Sequence, residues 1–249
     1  MIGRFLEISI PVDDILESIA FYEKLGFVQA ATGETWPHPY AVLTDGRLYL
    51  GLHQSSLPAL TLTYMQPDLA RHAERLRASG FELVDERLDG ESFNQASLVD
   101  PTGQRITLVE ARTFSPLLLD HGQESSLGYF AEYGLPVRDF EAATSFWESL
   151  GFISLVETKE PFLRRTLTSD RLNVGLYRTR ALRMPVLTFE DVDMKRRLDV
   201  LRRKGIELLD DMPDSLDAAT NAVIKAPEGT RLLLLSTEPD GAPGQHRLQ

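Results

Sequence analysis

Glu7-Ile-Ser-Ile-Pro-Val12 is answered by Glu132-Tyr-Gly-Leu-Pro-Val137, and Phe21-Tyr-Glu-Lys-Leu-Gly-Phe27 by Phe146-Trp-Glu-Ser-Leu-Gly-Phe152, both at an offset of 125 residues. One residue is lost in the next loop, so that Arg47-Leu-Tyr-Leu-Gly-Leu52 meets Arg171-Leu-Asn-Val-Gly-Leu176. The first offset then returns for Leu62-Thr-Tyr64 against Leu187-Thr-Phe189 and for Gly80-Phe-Glu-Leu83 against Gly205-Ile-Glu-Leu208. Asp100-Pro-Thr-Gly103 falls opposite Ala226-Pro-Glu-Gly229. Similarity at a fixed period marks a repeated structural unit. The chain reads as two copies of one unit, 1–111 and 128–238, joined by a linker at 112–127 and followed by a flexible tail at 239–249.

Each copy divides again. Leu6, Ile8, Ile10 and Val12 alternate with Glu7, Ser9 and Pro11, the period of a half-buried strand. Asp13 or Asp14 caps the helix that follows, whose inner face carries Ile15, Ile19 and Tyr22, and Gly26 stands just past its end, where a left-handed backbone costs least. The plan repeats with a strand at Leu60–Met65, Asp68 as cap, a helical face of Leu69, Ala73 and Leu76, and Gly80 as stop. Strands near Phe81–Val84, Ala96–Val99 and Arg105–Val109 complete it. The expected class is α+β: four βαβββ modules at 4–53, 59–111, 129–178 and 184–237. Helices are expected to cover the sheet face that bears Leu6, Ile8 and Ile10, and the Glu7 and Ser9 face to meet a second sheet or line a cavity.

Composition narrows the chemistry. The net charge of −11 argues against a nucleic-acid partner, since phosphate binding needs a basic stripe. No cysteine is present, which removes disulfides, thiolate metal sites and cysteine nucleophiles. The opening Met1-Ile-Gly-Arg-Phe5 lacks the basic start and apolar core of a signal peptide, and no apolar run is long enough for a membrane span. A cytoplasmic protein is expected.

The phrases Ser18-Ile-Ala-Phe-Tyr-Glu-Lys-Leu-Gly-Phe27 and Asp100-Pro-Thr-Gly103, with their second copies Ser145-Phe-Trp-Glu-Ser-Leu-Gly-Phe152 and Ala226-Pro-Glu-Gly229, resemble the vicinal oxygen chelate superfamily. That superfamily includes glyoxalases, bleomycin-resistance proteins and extradiol dioxygenases. The resemblance spans nearly the whole chain. It implies a ligand pocket inside each cup and, in metal-dependent members, metal ligands at four inward positions per copy. Those positions fall on Glu7, Gly51, Thr61 and Thr107, and on Glu132, Gly175, Val186 and Leu233. A divalent ion needs several oxygen or imidazole donors, and one carboxylate per copy is too few. The expected cofactor set is therefore empty.

Two readings of Glu7 and Glu132 stand side by side. Either carboxylate could serve a pocket, as a general base or the partner of a cationic ligand. Alternatively, each is tied to an arginine, because Arg47, Arg105, Arg171 and Arg231 open the last strand of each module on the same parity. His53 faces the first cup, where the second has Tyr177, and suits acid–base work near neutral pH or a hydrogen-bonded rim position. Trp36, His38 and Tyr40 border the first cup, opposite Phe162 and Arg164 in the second. Gly51 and Gly175 are strand glycines that admit a close neighbour. Tyr22 and Trp147 read as core. The leading expectation is a metal-independent binder of a small molecule, of the bleomycin-resistance type, with ligand contacts from Glu7, Trp36, His38, Tyr40, Gly51, His53, Thr61, Thr107, Glu132 and Tyr177. The rival is a lyase, isomerase or dioxygenase-related enzyme in which Glu7, His53 or Glu132 moves protons, or a weak metal binds a shifted site. In a third reading only the first copy binds anything. A monomer that mimics a dimer internally and a homodimer are both compatible with the repeat.

Overall fold

The structure is a computed structural model that describes residues 2–31, 36–57, 59–89, 94–110, 125–169 and 171–237. In the first half, β1 (Arg4–Pro11), α1 (Ile15–Lys24), β2 (Val28–Ala30), β3 (Tyr40–Thr44) and β4 (Tyr49–His53) form one module. The next is β5 (Thr61–Gln66), α2 (Leu69–Ala78), β6 (Val84–Arg87), β7 (Gln95–Val99) and β8 (Arg105–Glu110). The second half repeats them as β9 (Tyr129–Pro136), α3 (Phe140–Ser149), β10 (Ile153–Thr158), β11 (Leu163–Thr168) and β12 (Asn173–Arg178). Its last module is β13 (Val186–Asp191), α4 (Met194–Arg203), β14 (Ala222–Lys225) and β15 (Arg231–Ser236). In this fourth module the strand expected after the helix shrinks to a single bridge between Leu209 and Val223.

Each half is one mixed sheet, ordered β2-β3-β4-β1-β5-β8-β7-β6 and β10-β11-β12-β9-β13-β15-β14. The two modules of a half meet where their first strands pair antiparallel, β1 with β5 and β9 with β13. Among the described residues no helix is long and apolar enough to cross a membrane.

Local chemistry accounts for the boundaries. The Asp14 carboxylate caps α1, accepting hydrogen bonds from the amides of Leu16 and Glu17. Asp68 occupies the cap position of α2, but its backbone is left-handed and its side chain makes no capping bond. Gly26 and Gly80 follow their helices with φ of 99° and 87°. The strand expected at Phe81–Val84 begins only at Val84, because the Phe81 amide still closes the helix end on the Leu76 carbonyl. In β1 a bulge between Phe5 and Glu7 shifts the register, which exchanges the residues on either side of the sheet. Phe5 joins the core against Tyr64, with ring centroids 5.4 Å apart, and Leu6 is left half-buried rather than inside with Ile8 and Ile10 as expected. The linker expected at 112–127 lies outside the described residues up to 124, after which Leu127 is buried; the tail expected at 239–249 lies wholly outside them.

Tyr22 and Trp147 are core residues as read from the repeat, and each also has a polar end directed at the other half. Tyr22 Oη donates to Glu228 at 2.7 Å and Ser18 Oγ donates to the same carboxylate at 3.1 Å. Trp147 Nε1 donates to Asp100 at 3.2 Å. Asp100 and Glu228 belong to the two turns that precede β8 and β15, so each first-module helix is anchored by a turn of the opposite copy. Trp147→Ala removes a fully buried indole and its seam bond; it should lower unfolding stability by about 3–5 kcal/mol, read as a fall in the urea midpoint.

Candidate functional site

Strand parity places Glu7 and Ser9 of β1, Tyr40 of β3, Gly51 and His53 of β4, Thr61 and Thr63 of β5, Ser97 of β7 and Thr107 of β8 on one concave face. Glu7 is at its centre, 1% exposed. A buried carboxylate is costly unless hydrogen-bonded, and three donors converge on this one. Ser9 Oγ reaches Oε1 at 2.8 Å, His53 Nε2 reaches the same oxygen at 2.9 Å, and Tyr40 Oη reaches Oε2 at 2.5 Å. Thr63 supports Ser9 from behind at 2.7 Å. With Nε2 of His53 donating to the Glu7 carboxylate, Nδ1 is the acceptor whenever the ring is neutral, and it meets Nε2 of His38 at 2.9 Å. The chain His38–His53–Glu7 therefore runs with every N–H pointing inward. It ends at Nδ1 of half-buried His38, which has no partner among the described residues. Burial and the neighbouring His53 hold the His38 pKa below its ordinary value. Trp36 closes the group, its ring 5.7 Å from His38 and 5.2 Å from His53.

Room for this arrangement comes from a glycine. A Cβ on Gly51 would collide with the Glu7 carboxylate, and one on Gly175 with the carboxylate of Glu132. The space that a side chain would occupy on the neighbouring strand is filled by the glutamate itself.

The second cup keeps the carboxylate and changes its surroundings. Glu132 accepts from Thr166 Oγ1 at 2.6 Å and Tyr177 Oη at 2.5 Å, with Arg164 at 3.5 Å. Burial and the Glu132 charge raise the Tyr177 pKa. Burial would lower that of Arg164, but Glu132, Tyr177 and Glu190 outweigh it and hold the guanidinium charged. Thr188, in the place of Thr63, hydrogen-bonds the Tyr177 hydroxyl at 2.8 Å, and Phe162, Tyr177, Leu182, Val186, Met212, Val223, Leu233 and Leu235 form a buried cluster of their own. At matching register Val186 replaces Thr61, Val223 replaces Ser97 and Leu233 replaces Thr107. One cup is lined with hydroxyls where the other is packed with methyl groups.

Of the residues singled out from sequence, Glu7, His53, His38, Tyr40, Trp36 and Gly51 meet in one group, and Glu132, Gly175 and Tyr177 meet in its counterpart. Thr61 and Thr107 share the first face but do not bond Glu7; Thr61 caps the Ala59 carbonyl and Thr107 pairs with Ser97. The expected arginine framework is not what holds the carboxylates. Arg105 pairs with Asp85, Arg231 with Asp211, and Arg47 lies over the Tyr129 ring. The opening residue of each strand is too far along it to reach the middle, where Glu7 takes hydroxyl and imidazole donors instead. Only Glu132 meets an arginine, and that one is Arg164, in the place of Tyr40. Thr63, Thr166 and Thr188 were missed, although each shares strand parity with a residue that was named, and Ser9 was placed on the Glu7 face without a role.

No protein-family model matches the chain, and no curated protein matches it in sequence. Solved structures do. The chain is similar to catechol 2,3-dioxygenase at 17% identity, covering 100% of this chain and 92% of that one with a TM-score of 0.58. It is similar to an extradiol ring-cleaving dioxygenase from B. fuscum at 15% identity, covering 98% and 75%, with a TM-score of 0.61. It is also similar to 2,2',3-trihydroxybiphenyl 1,2-dioxygenase from Sphingomonas wittichii strain RW1 at 19% identity, covering 94% and 89%, with a TM-score of 0.59. The chain shares the tandem two-domain fold of these ring-cleaving dioxygenase structures.

The metal implied by that fold does not suit the residues present. Its four inward positions hold one carboxylate and no imidazole in either half, and Glu7 already accepts three hydrogen bonds. Both nitrogens of His53 are engaged within the network. Among the described residues no group of three or more histidine, aspartate or glutamate side chains is arranged to hold a metal.

Gly51→Ala should destabilise the fold by about 1–3 kcal/mol through overpacking. In a double-mutant cycle with Glu7→Ala the combined cost should fall below the sum of the single ones, because the obstructing carboxylate is then gone. NMR titration should place the His38 midpoint below 6.5. The unfolded chain then binds that proton before the folded one does. This contribution to stability is present above pH 6.5 and is lost as pH falls towards the folded midpoint.

Proposed function

We propose that the first cup is a metal-independent site for a small aromatic molecule, and that the second cup is its structural counterpart. The observation that carries this reading is the exchange of Val186, Val223 and Leu233 for Thr61, Ser97 and Thr107 around an otherwise equivalent glutamate. Hydroxyls placed where methyl groups pack equally well give the first cup donors and acceptors for a ligand; such groups fix orientation while aromatic surface supplies contact. Trp36 and His38 offer a flat face at the mouth. The similar structures include enzymes named for catechol and trihydroxybiphenyl, flat hydroxylated rings of the kind such a face accepts. Glu7 acts here as the fixed end of a hydrogen-bond chain, with His38 Nδ1 as the acceptor presented to a ligand hydroxyl.

A second reading, acid–base catalysis of the lyase or isomerase kind, draws on the same chain. A proton taken by His38 Nδ1 can be matched by transfer of its Nε2 proton to His53 Nδ1, and of the His53 Nε2 proton to Glu7. Each ring gains one proton and gives up one, so the proton ends on the buried Glu7 carboxylate and neutralises it. This device needs no metal.

Metal analysis of the purified protein, with thermal shifts in Mn²⁺, Ni²⁺, Fe²⁺ and Zn²⁺, tests the metal-independent reading. The expected result is substoichiometric metal and no strong stabilisation; a site filled a hundredfold above its Kd would add about 2.7 kcal/mol, and that outcome overturns it. With catechol as probe, quenching of Trp36 fluorescence should survive chelator treatment and weaken about tenfold in His38→Ala, the loss of one hydrogen bond from the bound ring.

A further inference from the structure

Four arginines hold one position in the four modules, just before or at the start of the last strand, and they divide into two pairs. Arg105 and Arg231, in the second module of each half, are each bonded to an aspartate, Asp85 and Asp211. Arg47 and Arg171, in the first modules, have no such partner among the described residues. The Arg47 guanidinium rests 4.4 Å from the centre of the Tyr129 ring. Its neighbour Asp45 is committed through Oδ1 to the backbone amides of Arg47 and Leu48. Arg171 makes no hydrogen bond or ion pair with any described residue. Both line one hollow of about 200 Å³, one arginine from each half, and its remaining walls are Phe5, Leu6 and Tyr49.

Two like charges converging on a concavity repel each other unless an anion lies between them. The equivalent Arg105 and Arg231 each have an aspartate partner, whereas Arg47 and Arg171 have no carboxylate within ion-pair distance among the described residues, and Asp45 acts on Arg47 only through its charge. The bulge in β1 contributes directly, because it turns Leu6 out of the core and into the wall of the hollow. Guanidinium forks match carboxylate geometry, and the Phe5, Leu6 and Tyr49 walls suit an apolar body. We infer that this seam hollow binds a small organic carboxylate, with Arg47 and Arg171 taking the charged group and the three apolar walls taking a single ring or short chain. None of its lining residues belongs to the Glu7 group, so it is a second site, formed only because the two halves meet.

Isothermal titration of the full chain with benzoate tests this. Saturable binding is expected, weaker by about tenfold in Arg171→Gln and again in Arg47→Gln, since each removes a charge-assisted hydrogen bond. Arg105→Gln and Glu7→Gln should retain wild-type benzoate affinity, which separates this site from the cup. Benzamide, the same shape without the charge, should not compete with benzoate for this hollow. Arg171→Gln loses no partner among the described residues, so its Tm should match the wild type and keep the comparison clean even if Arg47→Gln unfolds. Equal benzoate affinity in a folded Arg171→Gln, no saturable benzoate binding, or binding of inorganic phosphate without benzoate would each overturn the inference.

Discussion

A carboxylate in the middle of a buried strand must be given both room and donors, and that requirement organises the centre of each half. Room comes from the glycine on the adjacent strand, Gly51 or Gly175, without which the glutamate could not lie across its neighbour. Donors come from the next positions on the same face: Ser9, Tyr40 and His53 in one half, Thr166 and Tyr177 in the other, where Arg164 adds an ion pair at 3.5 Å. Removing any of them leaves a buried acceptor unsatisfied, at a cost of about 1–3 kcal/mol. The network thus fixes the register of β1 against β4 and of β9 against β12 as firmly as the apolar face does.

The two networks solve the same problem with different side chains, and the difference sets their character. Imidazoles can pass a proton and change charge near neutral pH, whereas a buried tyrosine and an arginine held in its charged form cannot. The half with the imidazoles is also the half whose cup is lined with threonine and serine. Titratable chemistry and polar lining therefore coincide on one side of the molecule, and a permanently charged pair with an apolar filling coincides on the other.

Much of this could be read from the chain because two periodicities overlap in it. The 125-residue repeat aligned Glu7 with Glu132 and His53 with Tyr177, and strand alternation put each on the inward face. What escaped is what alternation cannot express. A bulge between Phe5 and Glu7 moves Leu6 out of the core without leaving a mark in the hydrophobic pattern. Parity assigned Arg105 and Arg231 to the same face as the glutamates, but distance along the strand decides contact, and Asp85 and Asp211 lie nearer. Arg164 was seen only as the counterpart of Tyr40, because its role depends on Glu190 three strands away in the sheet order as well as on Glu132. The cross-seam bonds of Tyr22 and Trp147 join residues far apart in sequence and have no local signature.

Those seam bonds carry a consequence for how such a chain can diversify. If each half existed as a separate polypeptide, the contacts of Tyr22 with Glu228 and of Trp147 with Asp100 would form between two identical subunits, and symmetry would impose every substitution on both cups at once. Covalent joining lifts that constraint. One cup is free to be filled with leucine and valine and contribute cohesion, while its twin keeps the hydroxyls and imidazoles that a filled interior would exclude. The asymmetry between Thr61, Ser97 and Thr107 on one side and Val186, Val223 and Leu233 on the other is open to a tandem chain and closed to a symmetric pair.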